Sequence, residues 1–130
     1  MDLQIIEDCN VGHGTEIAKF VVLQDCDIGS DCKIWRFVNM YGCEISDKCM
    51  IGSLVEIQSD VVIGPRSRVQ SHSFICSDVT IESDVFVSHG VKFVNDRYPP
   101  SGDPDKWEET IVHEEASIGT GAVLMPVEIG

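Results

Sequence analysis

No stretch of the 130-residue sequence approaches the roughly 20 consecutive apolar residues that a membrane-spanning helix requires. The N-terminus, Met1-Asp2-Leu3-Gln4-Ile5, lacks the basic and then apolar pattern of a signal peptide, so the expected address is cytoplasmic. Basic side chains are scarce, 9 against 22 acidic ones, and the formal net charge is -13. Such a surface repels phosphate backbones and anionic lipid, which argues against nucleic acid and membrane as partners. The six cysteines contain no C-x-x-C pair, which removes the usual redox and zinc-knuckle spacings. No P-loop or dinucleotide fingerprint is present, which counts against nucleotide hydrolysis and nicotinamide chemistry.

What the sequence does contain is a period of six. Aliphatic residues recur at Ile45, Ile51, Ile57, Ile63, Val69, Ile75, Ile81 and Val87, and Phe93 extends the row. Val22, Ile28, Ile34 and Met40 keep the spacing one residue out of phase, and Ile5, Val11 and Ile17 form a third run after another slip. These slips read as one-residue deletions at corners. Four residues after each ladder position comes a small or β-branched side chain, including Cys26, Cys32, Cys49, Val55, Val61, Ser67, Ser73, Val79, Val85 and Val91. A spacing of two, as between Val61 and Ile63, puts both side chains on one strand face. Turn formers such as Ser59-Asp60, Gly64-Pro65-Arg66-Ser67 and Ser77-Asp78 separate these pairs.

Each hexad is therefore a very short strand and a corner, and three hexads make one turn of a triangular prism. A β-sandwich is the competing fold, but its strands recur every 8 to 12 residues, whereas six leaves no room for a hairpin. The sequence predicts one all-β domain over 1–130, a solenoid whose stacked coils share an apolar column. Most of the cysteines fit that column as small buried side chains. The rhythm stops after Phe93 and resumes at Ile118 and Leu124, so 94–115 is read as an inserted loop, and a loop this long favours function. Repeat sequence continues to Gly130 without a polar cap, which suggests either a covering partner or a shortened end.

Three segments resemble a known group. Lys33-Ile34-Trp35-Arg36-Phe37-Val38, Val69-Gln70-Ser71-His72-Ser73-Phe74-Ile75, and His89 through Pro99 are similar to the nucleotide-sugar 3-amine N-acetyltransferases, within the hexapeptide-repeat acyltransferases. These enzymes include those acting on UDP-2-acetamido-3-amino-2,3-dideoxyglucuronate. The resemblance implies a single-stranded left-handed parallel β-helix, a homotrimer, and acetyl-CoA and a nucleotide sugar bound in clefts between prisms. It also implies that Asn95, following the apolar run at the loop start, faces the reacting centre. Relatives read Pro-Gly-Val and continue for further coils where this chain has Met125-Pro126-Val127.

Transfer from a thioester to an amine needs positioning, oxyanion donors and a proton acceptor. Histidine suits the last role, because its ordinary pKa of about 6.5 lies near working pH. His72 and His89 stand nearly one coil apart and are the catalytic candidates with Asn95, while His113 lies within the inserted segment and His13 is distant in sequence with no motif around it. Asn95 cannot be a base, since an amide does not accept protons at neutral pH, but it can orient the amine or hold a water. Gln70, Asp96, Arg97 and Tyr98 are the substrate-binding candidates. Arg97 suits a carboxylate or diphosphate, or else a surface salt bridge. Backbone N–H groups at Ser88, Gly90 and Gly119 are the candidates for holding the co-substrate. No metal is expected: the γ-type carbonic anhydrases share a similar prism, but their histidines five residues apart are missing here. Ice binding would want Thr rows, and only four Thr are present. The alternative to a transferase is a non-catalytic or degenerate trimeric module without a complete CoA site.

Overall fold

A computed structural model describes residues 3–130. The chain is a left-handed parallel β-helix of about seven turns. Its strands form three parallel sheets of seven, seven and six strands, each sheet taking every third strand of the chain. Face I carries Gln4–Glu7, Val21–Gln24, Asn39–Tyr41, Glu56–Ile57, Phe74–Ile75, Lys92–Phe93 and Val123–Leu124. Face II begins at Asn10–Val11 and ends at Glu128–Ile129, and face III runs from Glu16–Ile17 to Ser117–Ile118. No helix among the described residues is long and apolar enough to cross a membrane.

The interior is what the spacing of two requires. Ile45, Ile51, Ile57, Ile63, Val69, Ile75, Ile81, Val87 and Phe93 are all buried, together with Val55, Val61, Ser67, Ser73, Val79, Val85 and Val91 two residues before the later ones. Ile45, Ile63 and Ile81 pair in register on face II. The buried hydroxyls of Ser67 and Ser73 donate to Glu82 O and Ser88 O at 2.8 and 2.9 Å, so neither is left without a partner in the core. The cysteines are unpaired by disulfides, and five are buried. Cys26 and Cys43 stack at 3.4 Å between sulfurs, and the neighbouring thiol together with burial drives the Cys43 pKa far up, keeping it neutral.

The slips are one-residue deletions: the one between Met40 and Ile45 falls where a count of six places it, and the earlier one does not. Val21 and Leu23 are buried while Val22 between them is partly exposed, so the face I ladder runs through Leu23, not Val22. Ile6 pairs with Leu23 and Ile5 with Val22, which likewise moves the first rung from Ile5 to Ile6. The short corner therefore lies between faces I and II, where Asp8, Asp25 and Gly42 each turn the chain with positive φ. Early coils consequently repeat at seventeen residues, as in Asn39 opposite Glu56, and later ones at eighteen, as in Glu56 opposite Phe74.

Most corners use a left-handed residue, which Asp tolerates better than bulky side chains. The corner between faces III and I departs from this preference. Phe20, Phe37 and Leu54 take positive φ there with about half of each side chain exposed, and the rings of Phe20 and Phe37 stack at 5.6 Å. His72 and then Gly90 continue that column. On face II, Gly64 sits where an added Cβ would lie 2.6 Å from the Glu82 carbonyl carbon, so that close backbone approach excludes any side chain.

The insertion is shorter than 94–115. Thr110–Val112 rejoins face II opposite Val79–Ile81, with Thr110 and Val112 buried, and Glu115 makes the next corner. The excursion is confined to 94–109 and includes a single 3-10 turn, Pro104–Lys106, capped by the Asp103 side chain.

Candidate functional site

Asn95 leaves face I at its corner with face II, where the inserted loop departs. Its side-chain amide donates to Ser77 O at 3.1 Å, and the Ser77 N–H donates to Gln58 Oε1 at 3.2 Å. Three successive coils thus link Gln58, Ser77 and Asn95 into one hydrogen-bonded column. The loop folds back over it, closed at its base by Glu108 N–H donating to Asn95 O at 2.9 Å. Beneath it lies a cavity of about 270 Å³, with Asn95, Asp96 and Gln58 as polar groups among Phe74, Cys76, Pro99 and Trp107. Burial pushes the Cys76 thiol up to about 11, so it is no thiolate nucleophile at neutral pH. Next to Ser77, the Asp78 carboxyl is held above its ordinary range, first by burial and then by Asp60 and Glu109.

The loop residues expected to meet substrate hold the loop itself. Asp96 accepts hydrogen bonds from the N–H groups of Ser101 at 2.8 Å and Tyr98 at 3.2 Å, and these hold its carboxyl below the usual range. Arg97 pairs with Glu108 at 2.8 Å and donates to Pro126 O at 3.3 Å, tying the loop to the last coil. Tyr98 is the most exposed of the group, at 79%.

His72 and His89 stand exposed on successive coils at the corner between faces III and I. The Lys92 ammonium donates to His72 O, which fixes that corner against the next coil. Asn95, however, is bonded to Ser77, five residues beyond His72 and across the short strand Phe74–Ile75. At about 3.3 Å per residue that is at most roughly 16 Å along the side of the prism, so one chain does not bring the histidines and Asn95 together. Gln70 lies on face III, beside Trp35, Gly52 and Arg68. The N–H groups of Ser88 and Gly90 already donate to Ile118 O at 3.1 Å and Ser71 O at 3.0 Å in the coil stack. The Gly119 N–H has no acceptor among the described residues.

Reading by hexads missed Ser77, Gln58 and Trp107. The first two were accessible: stacking residues by coil rather than by hexad puts positions 58, 77 and 95 at one corner. Trp107 sits in the loop, where no period applies. Among the described residues, no group of three or more His, Cys, Asp or Glu is arranged to hold a metal ion.

His113 bridges Glu82 at 3.0 Å and Glu128 at 3.3 Å, connecting three neighbouring coils on face II. Hydrogen bonds to Glu82 and then to Glu128 raise its pKa above the ordinary value. A raised folded-state pKa contributes stability that is complete below the unfolded value of about 6.5 and disappears as pH rises through the folded value. His113→Gln is expected to remove that pH dependence from urea unfolding while leaving stability at high pH unchanged. An imidazole NMR titration of His113 at or below about 6.5 would contradict this.

Residues 42–77 match the family described as bacterial transferase hexapeptide (six repeats). A Bacillus cereus crystal structure, provisionally named an acetyltransferase, is 15% identical and covers 99% of this chain and 80% of its own, with a TM-score of 0.53. A Francisella novicida UDP-N-acetylglucosamine acyltransferase is 12% identical over 92% of this chain and 62% of its own, with a TM-score of 0.49. A Caulobacter crescentus perosamine N-acetyltransferase, crystallised with CoA and GDP-perosamine, is 14% identical over 95% of this chain and 53% of its own, with a TM-score of 0.28. No curated protein gives a significant match. At 15% identity the likeness to the Bacillus cereus structure shows the β-helix fold alone.

Proposed function

We propose that this protein transfers the acetyl group of acetyl-CoA to the amine of a nucleotide-linked amino sugar. The observation that carries the reading is the cavity of about 270 Å³ under the inserted loop, where Asn95 faces otherwise largely apolar walls. An amide held by Ser77 and surrounded by Phe74, Pro99 and Trp107 supplies a fixed dipole in a partly water-excluded place, which suits orienting a neutral amine. In the reaction the amine nitrogen forms a bond to the thioester carbonyl carbon, and the carbon–sulfur bond breaks. The proton lost from nitrogen passes through a base to the departing thiolate.

His72 and His89 are the bases in this reading. Because they occupy the far end of face I from Asn95, a site that uses both draws them from neighbouring copies in a homotrimer. A non-catalytic binding module is the second reading, favoured by the Ser88 and Gly90 N–H groups being already bonded within the coil stack. Incubating the protein with acetyl-CoA and UDP- or dTDP-linked 3-amino sugars should release free CoA. Absence of both turnover and acetyl-CoA binding by calorimetry would favour the inert module.

A further inference from the structure

Three cysteines stack at the corner between faces I and II. Cys9, Cys26 and Cys43 each follow a left-handed corner residue, Asp8, Asp25 and Gly42, and so take the same place on three successive coils. The pairing of Asn10 with Asp27 and of Asp27 with Glu44, one residue further on, puts Cys26 between the other two. The Cys26 and Cys43 sulfurs are 3.4 Å apart and both residues are buried, whereas Cys9 is partly exposed.

Packing does not demand cysteine here. Val61 and Val79 hold the same place on the next two coils and are equally buried. Sulfur in all three earlier coils therefore adds a chemistry that valine lacks. The hydrogen bond from the Cys43 thiol lowers the Cys26 pKa, against burial, to about 7, which makes Cys26 the thiolate of the pair. Cys32 and Cys49 form a second stack at the next corner, but Thr15 closes it. The Thr15 hydroxyl donates to Gly29 O at 2.6 Å and accepts the Cys32 N–H at 3.0 Å, so no cysteine connects that stack to the surface. Its thiols turn instead to Ser46 O and Gly64 O, at 3.0 and 3.1 Å.

We infer that Cys26 and Cys43 form a reversible disulfide between neighbouring coils, with Cys9 as the point where a small external disulfide, such as that of glutathione, delivers the oxidation. Neighbouring strands lie about 4.8 Å apart, within the roughly 4.4 to 6.8 Å between Cα atoms that a disulfide spans. The Cys9 thiolate attacks one sulfur of the external disulfide, forming a mixed disulfide and releasing one small thiol. Cys26 then attacks the Cys9 sulfur and expels the second small thiol, which leaves a Cys9–Cys26 bridge. Cys43 attacks Cys26 in turn, its proton passing to the departing Cys9 sulfur. The external disulfide is thus reduced to two thiols, Cys26 and Cys43 are oxidised, and Cys9 is regenerated. None of this rests on the acetyl-transfer reading, since the thiols lie at a different corner position from Asn95 and are engaged with no turnover.

The folded protein is expected to lose two of its six free thiols to glutathione disulfide, with peptide mapping placing the bridge at Cys26–Cys43 and dithiothreitol reopening it. Cys9→Ser should slow bridge formation about tenfold or more, because the buried pair then has no exposed entry. Cys43→Val, which repeats the residue of the next coil, should stop the sequence at Cys9–Cys26. Unchanged far-ultraviolet dichroism would show that each variant and the oxidised protein keep the coil. A stable glutathione adduct on Cys9 with Cys26 and Cys43 still free would overturn the inference. So would a Cys32–Cys49 bridge forming as fast, a bridge that appears only in urea, or a rate untouched by Cys9→Ser.

Discussion

Leu23→Ala is expected to cost about 3 kcal/mol of unfolding free energy, and Val22→Ala less than about 1 kcal/mol, although the two residues are neighbours of similar hydrophobicity. Leu23 is fully buried and pairs in register with Met40 one coil on and with Ile6 one coil back. Truncating it leaves a void that the coils on either side cannot close without breaking their own strand pairing. Val22 points outward from the same strand and touches the column only from outside. Urea unfolding of the two variants, at unchanged dependence on denaturant, decides the register directly. Equal losses, or a larger loss for Val22→Ala, would mean that the ladder follows the strict count of six and that the corner at Asp25 is misassigned.

That comparison also marks where sequence reading was sufficient. From Ile45 to Phe93 the period is uninterrupted, each inward residue is aliphatic or aromatic, and each partner two positions earlier is small or β-branched. Prism, parallel pairing and core followed from those residues. Handedness did not, because a six-residue period is the same in either winding sense, and the resemblance carried it. Around Leu23 the pattern was ambiguous: three apolar residues in a row, Val21-Val22-Leu23, fit the ladder in either phase, and only the position of the shortened corner selects one. The loop end was misjudged for a related reason. Thr110 and Val112 are an ordinary inward pair, but a threonine at the first position hid the rhythm, and its hydroxyl instead receives the Val127 N–H at 3.3 Å. At the candidate site, Asn95 was legible from its place after the apolar run. Its bond to Ser77 was not, because that contact depends on which corners stack.

Mixing Asn95→Ala protein with protein carrying both His72→Ala and His89→Ala is expected to restore activity that neither has alone. Each variant by itself should lose about 100-fold or more in turnover, since in the proposed reaction each removes a group acting on the reacting atoms. The geometry gives the mixture its meaning. His72 and His89 stand at one end of face I, and Asn95 stands at the other, bonded to Ser77 at 3.1 Å. Sheet strands are too stiff to bring those ends together within one chain, so a shared site must be assembled from two copies. In a closed ring each interface then needs Asn95 from one copy and histidines from the next. Random reassembly of an equal mixture, after mild unfolding and refolding together, supplies that combination at about a quarter of interfaces, and activity should return to about that fraction of wild type. Recovery at this level would place the base and the amide on different subunits. Full activity in the histidine variant would remove both histidines from the reaction, leaving Asp78, with its raised carboxyl pKa beside Ser77, as the group to test next. Two inactive variants that stay inactive when mixed would mean that the site is built within one chain, against the separation along face I.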